Sequence, residues 1–180
     1  MIVIGSFVWS LQRTAAAIVN LIVGSRDFSA AKWGGGGVTI GSDATTSADG
    51  STNADKLQED GTTGSHGKNQ IVTVVNGRTY TASVELKAAG RSTVLVEVLS
   101  GATDYYASVN LTTGVATPGG VPSVPTVTST SLGSGWHRIS FTFPAASTTA
   151  RLYILMSNGG GYSYAGDGSS GIYVDNAKIY

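Results

Sequence analysis

Cysteine is absent, which excludes disulfides and thiolate chemistry and leaves stability to packing. Charge is scarce. Charged residues make up 12% of the 180-residue chain, with 11 basic against 11 acidic side chains and no net charge. Phosphate binding needs clustered Lys and Arg, and the scattered basic residues here exclude nucleic acid as a partner. Long apolar runs are also missing. The most apolar part is residues 1–23, but Gln12, Arg13 and Asn20 interrupt it short of the roughly 20 residues a membrane span requires. No Lys or Arg precedes its first apolar run, as one would in a secretory leader. Helical periodicity is not found after Val19.

What is present is glycine, 25 residues of it, together with abundant Ser and Thr. Such a surface is polar without charge and suits neutral partners, sugars or other protein. Short alternating stretches dominate. Tyr80, Ala82, Val84 and Leu86 alternate with Thr81, Ser83, Glu85 and Lys87, and Val94, Val96 and Val98 with Thr93, Leu95 and Glu97. The same period marks Ile139, Phe141 and Phe143, and then Leu152, Ile154 and Met156, whose partners are Arg151, Tyr153 and Leu155. Asn20–Val23, Val38–Ile40, Ala54–Leu57, Gln70–Val75 and Asp104–Leu111 read as further strands. Asn76-Gly77 predicts a tight hairpin, Ala89-Gly90 and Thr112–Gly114 predict turns, and Ser42–Asn53 and Gly61–Gly67 predict loops. Three of the four prolines fall in Pro118–Pro125, which predicts an edge or an ordered loop. In the last strand the apolar positions slip by one residue between Val174 and Ala177, which predicts a bulge at Asp175-Asn176. The sum is an all-β chain, a two-sheet antiparallel β-sandwich of the jelly-roll kind preceded by an apolar arm.

Residues 1–19 form that arm, and residues 20–180 the domain. A cleaved leader or a strand packed on its own domain are the alternatives for residues 1–23. Docking on another subunit is the reading adopted, because this much apolar surface does not stay exposed on a soluble monomer. Ile2, Ile4, Phe7 and Trp9 are the docking side chains it predicts.

Four stretches carry a resemblance. Asn20–Phe28 with Trp33, Ala48–Leu57, Gly135–Ser140 and Tyr164–Tyr173 are similar to the carbohydrate-binding-module-like jelly rolls of bacteriophage tail, fibre and capsid-decoration proteins. The resemblance implies a virion protein at a capsid or tail surface, joined to other virion proteins by the arm and assembled as a homo-oligomer. It also implies contact with a neutral cell-surface glycan. A secreted carbohydrate-binding module of a cellular polysaccharide-degrading system is the alternative, with residues 1–23 as its leader.

Sugar recognition uses aromatic faces and planar polar groups. Tyr105, Tyr106, Tyr162 and Tyr164 are the candidates, and since adjacent strand residues face opposite ways, at most one of Tyr105 and Tyr106 is free for ligand. Trp33 and Trp136 are assigned to packing. Related jelly rolls hold a structural calcium ion near the last strand, which nominates Asp175 with Asp27, while Asp167 reads as a turn residue. No other cofactor is expected. The two histidines, His66 and His137, come without a nucleophile motif, and no pair of acids is singled out, so the chain reads as no enzyme.

Overall fold

Alternation of apolar with polar residues sorts side chains to opposite faces of a strand, and here it builds two sheets around one core. The computed structural model describes residues 18–121 and 126–180. Among them the strands are β1 (Gly34–Gly36), β2 (Val38–Thr46), β3 (Thr52–Glu59), β4 (Thr63–Ser65), β5 (Gly67–Thr73), β6 (Thr79–Ala89) and β7 (Thr93–Ser100). After these come β8 (Thr103–Asn110), β9 (Val115–Val121), β10 (Val127–Gly133), β11 (Trp136–Pro144), β12 (Thr149–Ser157), β13 (Ser163–Ala165) and β14 (Gly171–Ile179). The front sheet runs β1-β5-β12-β7-β8-β9 and the back sheet β10-β11-β6-β14-β3-β2, each six-stranded and antiparallel throughout. A two-stranded ribbon, β13-β4, stands apart.

The inward set is the apolar half of each alternation. Val94, Val96, Val98, Leu152, Ile154 and Met156 from the front sheet meet Val84, Leu86, Ile139, Phe143, Ile172 and Val174 from the back sheet, all fully buried. Phe143 lies between Tyr80 and Tyr105, with ring centroids 6.0 and 5.8 Å away. Both predicted packing tryptophans are buried. Trp33 sits against Phe28 at 4.5 Å and donates to Gly24 O, and Trp136 donates to Thr46 O.

The bulge is where the alternation breaks. Pairing between β14 and β6 shifts register between Asp175 and Lys178, and Asn176 takes φ +52°, a left-handed value that Asn tolerates. Pro118 lies on β9, the edge strand of the front sheet, where its missing N–H costs no ladder bond inside the sheet.

Four expectations need correction. Asn76-Gly77 makes a turn, with Arg78 N donating to Val75 O and Gly77 at φ +79°, but no hairpin, because β5 and β6 belong to different sheets. The turn carries the chain across the sandwich. Asn20–Val23 is no strand; Leu21 N donates to Ile179 O, and the Asn20 side chain fastens the segment to Ala177 and Ile179. Most of Ser42–Asn53 is not loop, since β2 continues to Thr46 and β3 starts at Thr52. Gly61–Gly67 contains β4, whose polar residues give no alternation to read.

Candidate functional site

The outward half of the front sheet is not the wet face that simple alternation would leave. Strand register places Asn69 of β5, Tyr153 of β12, Glu97 of β7, Tyr106 of β8 and Gly119 of β9 in one row across it. Ile71, Arg151, Leu99 and Asp104 form the next row, and Leu155, Leu95 and Ser108 the one on the other side. Tyr153 and Tyr106 therefore flank Glu97 from either side, about 10 Å apart at two strand spacings.

Each aromatic is held in place. Tyr106 lies across Gly119, where a Cβ would meet its ring carbons at 2.3 Å, so only glycine leaves room for the ring there. The Arg151 guanidinium sits 5.6 Å from the Tyr153 ring centroid and its Nη1 donates to Tyr153 Oη at 2.8 Å. Tyr162, from the glycine-rich loop before β13, reaches the same face, and its hydroxyl donates to Ser108 Oγ at 3.1 Å. Leu95 is only 7% exposed although its strand position faces outward, so this end of the face is covered.

Between the two rings sits Glu97, with Asp104 beside it in the next row. Glu97 and Asp104 are diagonal neighbours on β7 and β8. Burial, reinforced by the Asp104 carboxylate, pushes Glu97 up to about 7, and burial raises Asp104 as well. Asp104 Oδ1 is buried without a hydrogen-bond donor, and Glu97 is the carboxyl beside it. Near neutral pH Glu97 is therefore part protonated.

The predicted tyrosines divide. Tyr106 and Tyr162 come together on this face. Tyr105 points into the core, 3% exposed, as the parity of its strand requires, and offers no ring to a ligand. Tyr164 is also corrected. It is 7% exposed, with its ring 4.6 Å from buried His66 and 5.4 Å from the Arg91 guanidinium, and its hydroxyl donates to Glu59 Oε2 at 2.7 Å. Burial pushes that hydroxyl above the usual phenol range. This cluster ties β13 to β3: Arg91 bridges Glu59 and Asp167, and Asp167 Oδ1 accepts from Ser169 N and Ser170 N as a turn residue does.

Asp175 and Asp27 do not share a centre. Asp27 is exposed, its Oδ1 engaged by Ser29 N and Oγ, whereas Asp175 is buried on β14 of the back sheet with Arg26 Nη1 at 3.6 Å. Among the described residues no three acidic or histidine side chains converge. The Arg26 guanidinium supplies positive charge beside Asp175, whose Oδ2 has no hydrogen-bond partner among the described residues. Ile2, Ile4, Phe7 and Trp9 lie outside the described residues.

Tyr153, Glu97, Asp104, Asn69 and Arg151 were not singled out by sequence. The signal was available: Tyr153, Leu155 and Leu95 are large apolar side chains on the polar side of their alternations, where a solvated face has no use for them.

By sequence the chain matches no protein-family model and no curated protein. Solved structures match it. A family 61 carbohydrate-binding module in complex with β-1,4-galactotriose has a TM-score of 0.54 at 12% identity, covering 91% of this chain and 99% of that one. The enzymatically active domain of tailspike protein 4 from bacteriophage CBA120 has a TM-score of 0.53 at 15% identity, covering 89% of this chain and 21% of that one. The fold is shared with carbohydrate-binding modules. The jelly-roll reading rests on that likeness and on the two antiparallel sheets. No helix among the described residues is long and apolar enough to cross a membrane.

Proposed function

We propose that this chain is a non-enzymatic glycan-binding protein whose ligand lies across the outer face of the front sheet. One observation carries the reading: Tyr153 and Tyr106 flank the Glu97 carboxyl in a single row, with Asn69 at one end, Asp104 in the adjacent row and Tyr162 at the side. Rings stack on the apolar faces of sugars, and carboxyl, amide and guanidinium groups hydrogen-bond hydroxyls. The fold supports this, since the family 61 module has a ligand of the same class in its structure. Catalysis is not favoured. Glu97 and Asp104 lie on one sheet face, a row apart on adjacent strands, and not on opposite sides of a cleft as the carboxyls of a glycosidase pair do.

A glycan array tests the site. Wild-type protein should bind, and Tyr106→Ala with Tyr153→Ala should lose most of the signal while the fold, followed by circular dichroism, persists. Retention of full binding by the double variant would remove this face from consideration.

The cellular setting we propose is a virion surface, capsid or tail, with residues 1–19 as the attachment to other virion proteins in a homo-oligomer. Ile18 and Val19, 76% and 69% exposed, support it, because they leave the domain beside exposed Val75 and Tyr180 with nothing to cover them among the described residues. A secreted carbohydrate-binding module is the second reading, supported by the module that this chain covers almost end to end. Intact-mass measurement on native material separates them, since a secreted form loses its leader.

A further inference from the structure

Resting on the glycan-binding reading, we propose that the ligand is an uncharged glycan and that its binding is coupled to protonation of the adjacent carboxyls Glu97 and Asp104. Few charged or titratable groups face the pair. On β8 these are Asp104 itself and Tyr106; on β12 they are Tyr153 and Arg151; Tyr162 closes one side; β9 contributes none. Among the described residues Arg151 is the single cation facing the pair, and it is committed to Tyr153 through both its hydrogen bond and its place over the ring. A carboxylate or sulfate on a sugar between the two tyrosines would therefore meet a carboxyl pair and no free positive charge. Repulsion in so sheltered a position is large enough to exclude it.

A sugar hydroxyl fares differently. With its proton present, Glu97 is both a donor and an acceptor, and Asp104 is an acceptor, so the pair can complete a hydroxyl's hydrogen bonds without importing net charge. Once the proton is lost, two half-buried carboxylates stand side by side. They repel each other, attract water, and can only accept. A hydroxyl stacked between the rings then loses one donor and faces better-hydrated competitors. Burial and mutual repulsion place this loss near neutral pH. Binding should accordingly fall as pH rises.

Two measurements test the proposal. Carboxyl carbon shifts, followed by NMR from pH 4 to pH 9 in the full chain, should show one carboxyl titrating near neutrality. Asp104→Asn should return it towards the ordinary glutamate range, and Glu97→Gln should abolish it. If no carboxyl titrates above the ordinary range, the coupling is wrong. In the second measurement a glycan array carrying neutral glycans and their uronate and sulfated counterparts is read at pH 5.5 and pH 8.5. Neutral glycans alone should bind, about five- to tenfold more weakly at the higher pH, the loss expected for roughly one hydrogen bond. Glu97→Gln should remove that pH dependence. Equal binding at both pH values, or binding of acidic glycans, overturns this inference while leaving glycan binding itself standing. Absence of binding to every glycan at either pH overturns the binding reading and this inference with it.

Discussion

Glu97 bears on stability as well as on binding. Its carboxyl is raised from an ordinary 4.5 to about 7, so the folded chain holds the proton more tightly than the unfolded one. The contribution to stability is therefore complete below about pH 4.5 and is lost as pH rises through about 7. Glu97→Gln should remove that loss. Between pH 5 and pH 8, urea denaturation should show the wild type losing about 1–2 kcal/mol relative to the variant, a figure reduced from the full shift because the group is only half buried. A constant difference between the two proteins over this range would contradict it. Glu59 works the other way. Burial opposes its ionisation, but Arg91, the Tyr164 hydroxyl and Asp167 N–H overcome that and hold it below its ordinary value. Its stabilisation is present at neutral pH and is lost only in acid. Arg91→Ala should cost about 3 kcal/mol, because it leaves a fully buried carboxylate without its cation.

Strands β6, β7, β8, β11 and β12 were legible because each has a clean period of two, and β14 because its period of two slips once, which also marks the bulge. The short strands were not. Gly34–Gly36, Thr63–Ser65 and Ser163–Ala165 pair through backbone alone, and nothing in their side chains reports it. Asn76-Gly77 misled for a different reason: its preference fixes a turn, but tertiary packing decides whether the next strand returns to the same sheet. The site was half legible. Parity placed Tyr106 opposite Tyr105, but the row needs register between β5, β12, β7 and β8, which no single strand encodes.

Two substitutions separate local geometry from packing. At the bulge, Asn176→Gly keeps the left-handed backbone and loses only the hydrogen bond to Glu85 Oε1, whereas Asn176→Val loses both. The valine variant should be less stable than the glycine one by about 1–2 kcal/mol in chemical denaturation, the strain of a β-branched residue at positive φ. On β9, Gly119→Ala should displace the Tyr106 ring and weaken glycan binding while changing stability by less than about 1 kcal/mol, since the ring is the movable partner. Unchanged binding would mean that the Tyr106 position is irrelevant to the ligand.

Residues 1–19 raise the question of where the self-sufficient fold starts. Among the described residues the earliest member of the buried core is Ile22, and the chain is fixed just ahead of it by Asn20. That side chain donates to Ala177 O at 3.1 Å and accepts from Ile179 N and Ile22 N, both also at 3.1 Å, while Leu21 N donates to Ile179 O at 2.8 Å. These bonds close the sandwich between the entry to the domain and the end of β14. Deleting residues 1–19 leaves all of them in place, so the truncated chain should melt within about 3 °C of the full one, the equivalent of roughly 1 kcal/mol for a domain of this size. Asn20→Ala in the truncated background should then cost about 1–3 kcal/mol, because it strands two backbone N–H groups and a carbonyl at once. The virion reading adds that the same truncation abolishes incorporation into the particle. Thermal unfolding decides the structural half: a truncated chain that is unfolded at room temperature would make residues 1–19 part of the core, and attachment would lose its argument.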